Sequence, residues 1–104
     1  MPIVLVISKH APENCPAFNK KAEKAFTDYD NKADKLMKKY RIKRLGEYTV
    51  PNEHIIFGIF EAPSVEVLQK LMMEPEVLAR GAYETTEVKL AMRTEEQWKM
   101  IKGK

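Results

Sequence analysis

His54-Ile-Ile-Phe-Gly-Ile-Phe60 is an apolar run bounded by Pro51-Asn52 on one side and Ala62-Pro63-Ser64 on the other. A strand with one wet face alternates apolar and polar residues, whereas a strand covered on both faces reads as a continuous apolar run. The stretch is therefore read as a central strand with something packed on each side. Ile3-Val-Leu-Val-Ile-Ser8 repeats the pattern with β-branched residues and reads as a second central strand.

Outward from His54 the neighbouring segments differ in kind. Ile42 to Val50 mixes polar and apolar residues as an edge strand does, and Pro51-Asn52 turns it back into the central one as a hairpin. On the other side Ser64 caps a short helix with Val65, Leu68, Leu71 and Met72 on one face. Pro75 interrupts it, Glu76 to Arg80 makes a further turn, and Gly81 stops that turn. Tyr83 to Met92 places Thr86, Val88, Leu90 and Met92 on one face and Thr85, Glu87 and Lys89 on the other, a second edge strand. Thr94-Glu-Glu-Gln97 has capping-box spacing and opens a short C-terminal helix over about residues 94–102, with Trp98 as its packing anchor.

Between the first strand and the hairpin lies the longest helical pattern. Lys9 to Pro16 reads as a loop that ends with Asn14 as N-cap and Pro16 in the first turn. From there to Tyr40, Phe18, Ala22, Ala25, Phe26, Tyr29, Ala33, Leu36, Met37 and Tyr40 recur at spacings of three or four. Asp28/Lys32 and Asp34/Lys38 are spaced as i,i+4 pairs, each worth about 0.2–0.5 kcal/mol. The basic run Lys38 to Arg44 falls at the helix C-terminus, where the macrodipole favours cations.

The order is β-α-β-β-α-β with the first and third strands buried on both faces. It fits an α+β, ferredoxin-like sandwich with a four-stranded antiparallel sheet in the order 4-1-3-2 and both helices on one face. One apolar face of the central strands, carried by Val4/Val6 or by Ile3/Leu5/Ile7, would then stay wet in a lone chain. A second copy is expected to cover it, sheet to sheet, as a homodimer.

On that strand order, on Phe60-Glu-Ala-Pro-Ser64 leading into a short helix, and on the Pro-Glu break in Met73-Glu-Pro-Glu76, the chain resembles the dimeric α+β barrel superfamily. The resemblance covers nearly the whole chain and implies dimerisation as an α+β barrel. Members include cofactor-free monooxygenases, lactone isomerases, haem enzymes and many small proteins of unknown function, and this chain looks most like the last group. The fold alone implies no reaction.

Composition bounds the rest. The 104 residues fit one domain over residues 1–104, with 44% hydrophobic and 32% charged residues as in an ordinary soluble protein. No apolar run reaches the roughly 20 residues of a membrane helix, and Pro2 to Ile7 is too short for a signal peptide. The single cysteine, Cys15, favours a reducing, cytoplasmic setting. A net charge of +3 is mild, and no aromatic platform accompanies Lys38 to Arg44, so no nucleic acid is expected. The RNA-recognition module shares the strand order, but Ile3 to Ser8 lacks its aromatic and Phe57-Gly-Ile-Phe60 only partly echoes its third strand.

Four side chains carry the candidate chemistry. His10 ends the first strand, and Cys15 is placed in the first helical turn, where backbone N–H groups stabilise a thiolate. Together they read as a reactive thiol or part of a metal site, against the plainer alternative of a buried cysteine and a loop histidine. His54 could serve as a base or ligand with Glu47 or Tyr48 of the neighbouring strand, its plainer alternative being a surface hairpin residue. With the first and third strands taken to run parallel, His10 and His54 are expected at opposite edges of the sheet. Met1-Pro-Ile-Val resembles the start of the tautomerase superfamily, whose base is an N-terminal proline amine. With Met1 ahead of it the amine of Pro2 is blocked, and the early arginine partner is absent. No cofactor is called for. The expected function is a cytoplasmic dimer whose interior binds a small apolar ligand or serves assembly; the alternative is a cofactor-free monooxygenase- or isomerase-like enzyme.

Overall fold

The hairpin decides how the sheet is threaded. In a computed structural model describing residues 2–103, β2 (Lys43–Val50) and β3 (Ile55–Glu61) are joined by a 3-10 turn at Pro51–Glu53. β1 (Ile3–Lys9) and β4 (Thr85–Ala91) complete a four-stranded sheet in the order β2-β3-β1-β4, the expected 4-1-3-2 order read from the other edge. Met1, on which the proline-amine reading turns, lies outside the described residues.

β1 and β3 run antiparallel, pairing from Ile3 with Glu61 to Lys9 with Ile55. This corrects the parallel direction expected for them, and the reason is connectivity. The helical crossover leaves β1 and β2 pointing the same way but not adjacent; β3 returns from the hairpin, slots between them and runs against both. The end of β1 therefore meets the start of β3.

The long helix α1 (Lys20–Lys39) buries Ala22, Ala25, Phe26, Ala33, Leu36 and Met37, the stripe its spacing foretold. It starts later than expected. Asn19, not Asn14, is the N-cap, accepting a hydrogen bond from the Ala22 N–H at 3.1 Å. The chain before it makes only a 3-10 turn at Pro12–Asn14, so Cys15 sits in a loop and Phe18 is exposed. The i,i+4 pairing also differs: Asp28 takes Lys24, and Lys32 reaches across to Glu76 at 2.7 Å.

α2 (Val65–Met72) begins at Ser64, whose Oγ accepts from the Val67 N–H, and α3 (Pro75–Gly81) follows the proline break. The core lies between these helices and the sheet, where Val4, Phe60 and Ala62 meet Leu36, Met37, Ile42, Leu68 and Leu71. Cross-strand partners fix the faces. Val4, Val6 and Ser8 look toward the helices with Phe60, Gly58 and Ile56; Ile3, Leu5 and Ile7 lie on the open face with Ile59 and Phe57. The C-terminal helix α4 (Thr94–Lys102) buries no residue, and no capping box forms, since Arg93 holds the N-cap position. Trp98 is 54% exposed and anchors no core in this chain.

Candidate functional site

Between the helices and the sheet the core is incomplete. Gly58 carries no side chain on the inner face of β3, and the space above it opens into a cavity of about 460 Å³. Val6 and Phe60 floor it, Leu68, Leu71 and Val77 roof it, and Met37 and Tyr29 close the α1 side. This volume falls within the range of small-molecule sites, about 300–1,000 Å³. It lies on the helix side of the sheet, not at the sheet-to-sheet seam where an interior was expected.

Polar groups gather at one wall. Arg80, in the last turn of α3, and Glu84, just before β4, approach to 3.3 Å with side chains only 11% and 6% exposed. The Arg80 guanidinium lies over the rings of Phe26 and Tyr29, at 4.4 and 4.7 Å from their centroids. Arg80 Nε and Glu84 Oε2 are buried and find no hydrogen-bond partner among the described residues. Burial pushes the Glu84 carboxyl above its ordinary range, with Arg80 pulling the other way. Burial likewise raises the Tyr29 phenol against the same cation. An apolar chamber with an unsatisfied carboxylate oxygen can take an apolar molecule bearing a hydrogen-bond donor.

A second cluster also borders Phe26. The His10 ring meets the Phe26 ring edge-on at 5.9 Å and is 7% exposed. Because β1 and β3 are antiparallel, His54 arrives beside it, and His54 Nδ1 lies 3.3 Å from His10 Nε2. The expectation that these two would not meet is thus overturned. Cys15 joins them, so that one ligand atom from each of the three residues lies within 4.8 Å of the others. His54 holds φ 55° and ψ 43°, the left-handed conformation. Burial, then the charges of His54 and Arg80, lowers the pKa of His10.

Tyr48 does not join this group. It pairs with Phe57 on the open face, while Glu47, opposite Gly58, faces the helices and lines the cavity. Neither accompanies His54, which sits at the hairpin end of β3. Arg80, Glu84 and Tyr29 escaped the sequence reading. The one signal for them was an Arg/Glu pair spaced i,i+4 across a helix stop at Gly81, which by itself reads as a surface pair.

Four antiparallel strands in this order with two helical crossovers on one face make a ferredoxin-like α+β fold. Among solved structures it is similar to an uncharacterised NIPSNAP domain protein from Burkholderia xenovorans, with a TM-score of 0.59, 10% identity, and 89% of this chain and 94% of that one covered. Protein Atu4242 from Agrobacterium tumefaciens is similar with a TM-score of 0.57, 16% identity and coverage of 88% and 92%. A candidate antibiotic biosynthesis monooxygenase from Caulobacter crescentus is similar with a TM-score of 0.51, 20% identity and coverage of 88% and 91%. No protein-family model and no curated protein sequence matches the chain.

Proposed function

We propose that this chain is a homodimeric ligand-binding protein of a reducing, cytoplasmic setting, and that each protomer takes one small, largely apolar molecule into the cavity above Gly58. The observation that carries this reading is the cavity itself: an apolar chamber of about 460 Å³ with the buried Arg80–Glu84 pair at its wall. The ligand class follows from those groups. The chamber favours an apolar body, and Glu84 Oε2 favours a hydroxyl or phenol that can donate to it.

The dimer rests on the open face. Ile3, Leu5, Ile7, Ile55, Phe57 and Ile59 share that face by their register, and each is half-buried. Lys9, Lys43, Glu61, Glu87 and Lys89 sit around them in the same register. An apolar centre with a charged border suits a second copy.

The ligand reading is tested by calorimetric titration of 2-naphthol and of naphthalene, which differ by one hydroxyl. Saturable binding of one 2-naphthol per chain is expected, with naphthalene weaker. Gly58→Ala should weaken both by about tenfold, equivalent to about 1.4 kcal/mol, because a Cβ there would lie 2.5 Å from the Phe60 ring and drive it into the chamber. Binding indifferent to Gly58→Ala, or no binding of either probe, would remove the cavity from the function.

A second reading is turnover in the same chamber, as a cofactor-free oxygenation or isomerisation. Glu84 favours it: burial raises its carboxyl's pKa, the direction that makes its ionised form a stronger proton acceptor. The monooxygenase name of one similar structure points the same way. Recovery of the bound molecule unchanged after prolonged aerobic incubation would decide against turnover of that compound.

A further inference from the structure

We infer that His10, Cys15 and His54 form a binding site for one Zn2+ ion, distinct from the ligand cavity. The inference rests first on spacing. Zinc holds imidazole nitrogens at about 2.0–2.1 Å and thiolate sulfur at about 2.3 Å in tetrahedral array. Two such nitrogens stand about 3.3 Å apart, and a nitrogen and a sulfur about 3.6 Å apart, by that geometry. His54 Nδ1 and His10 Nε2 are already 3.3 Å apart, and the thiol of Cys15 completes a set within 4.8 Å. A shift of about an ångström at Cys15, within the reach of a side-chain rotation in a loop, closes the set.

The three ligands come from three segments that the backbone ties together. The His10 N–H donates to the His54 carbonyl at 3.1 Å, fixing the end of β1 against the start of β3. The Cys15 N–H donates to the Pro12 carbonyl at 3.1 Å, and the Cys15 carbonyl accepts from Phe18 and Asn19 at 2.9 Å each. These bonds hold the loop that presents the thiol. His54 keeps a left-handed backbone, a conformation that non-glycine residues seldom adopt. Strain of this kind gathers where a side chain must be aimed.

The chemistry of the pair points the same way. His10 is more than nine-tenths buried, and its Nε2 faces Nδ1 of His54 across a 3.3 Å gap. Two ring nitrogens facing at 3.3 Å share one proton at most; without it, two lone pairs point into one gap. A cation relieves that conflict. Two neutral imidazoles and a thiolate make a singly negative, borderline-soft donor set, which suits zinc over magnesium or calcium. Arg80, the cation whose charge reaches His10, is engaged with Glu84. Three protein ligands leave a fourth position for water.

The test titrates chelator-treated, reduced full-length protein with Co2+ as a spectroscopic probe and then with Zn2+ as competitor. One Co2+ per chain is expected, with thiolate-to-metal absorption in the near ultraviolet that Zn2+ abolishes. Cys15→Ser should eliminate that absorption and weaken Zn2+ binding. His54→Asn, chosen because asparagine tolerates the left-handed backbone, should weaken Zn2+ binding by more than about tenfold, the lower end of what losing even an outer-shell partner costs. Circular dichroism of both variants separates loss of a ligand from loss of the fold. Absence of the thiolate absorption, or Zn2+ affinity unchanged in either folded variant, would overturn the site.

Discussion

Arg80 and Glu84 lie four residues apart in sequence and 3.3 Å apart in space, an ion pair set into the wall of an apolar cavity. For Glu84 burial outweighs the pairing, and its folded-state pKa stands above the ordinary 4.5. Such a carboxyl holds its proton more tightly in the folded chain than in the unfolded one. Through the window between 4.5 and the raised value the folded state binds more protons, so this contribution to stability falls as pH rises. Glutamine does not titrate. In urea unfolding, Glu84→Gln should therefore gain on the wild type as the pH is taken upward from 4.5, levelling once Glu84 is fully ionised. A difference flat with pH would mean that Arg80 compensates the buried charge in full.

The open face of the sheet yields a prediction about assembly. Phe57 stands at its centre, flanked by Ile7 and Tyr48 and turned away from the core beneath the helices. Phe57→Asp places a charge where the second copy should sit and leaves the helix-side packing intact. Light scattering should report a dimer for the wild type and a monomer for the variant, with unchanged far-ultraviolet circular dichroism. A stable interface of this kind buries on the order of 1,600 Å², and an unpaired buried charge there costs several kcal/mol. A dimer that survives Phe57→Asp would place the interface elsewhere.

The strands and their order were legible because they are written in hydrophobic periodicity, a local property. Ile3 to Ser8 and Ile55 to Phe60 read as doubly buried, and each has one face on the core and one on the uncovered side. What failed was strand direction, which follows from connectivity and not from any residue. That error alone separated His10 from His54. The start of α1 was misplaced because Asn14 and Asn19 are both credible caps, and only tertiary packing chooses between them. The cavity left no local mark at all. It depends on a missing side chain at Gly58 and on a charged pair that the turn after α3 folds inward, and neither produces a period.

The C-terminal end of α1 is tied to the α2–α3 break by a carboxylate of opposite behaviour to Glu84. Lys39 Nζ and the Tyr40 hydroxyl both donate to Oε1 of Glu74, at 2.8 and 2.5 Å. These bonds, led by that from Lys39, hold the Glu74 carboxyl below its ordinary 4.5. The sign is now reversed: the stabilisation is complete above 4.5 and is lost as pH falls through the lowered folded value. Glu74→Gln should be less stable than the wild type at neutral pH and converge on it in acid. The two donors differ in their response to salt. Lys39 is largely exposed, so added salt should screen its share, whereas the neutral Tyr40 hydroxyl is not screened. A Lys39→Met variant should therefore lose most of its deficit in high salt, and a Tyr40→Phe variant should keep its own. Equal salt sensitivity of the two would show that the Tyr40 hydroxyl does not hold Glu74 independently of the Lys39 charge.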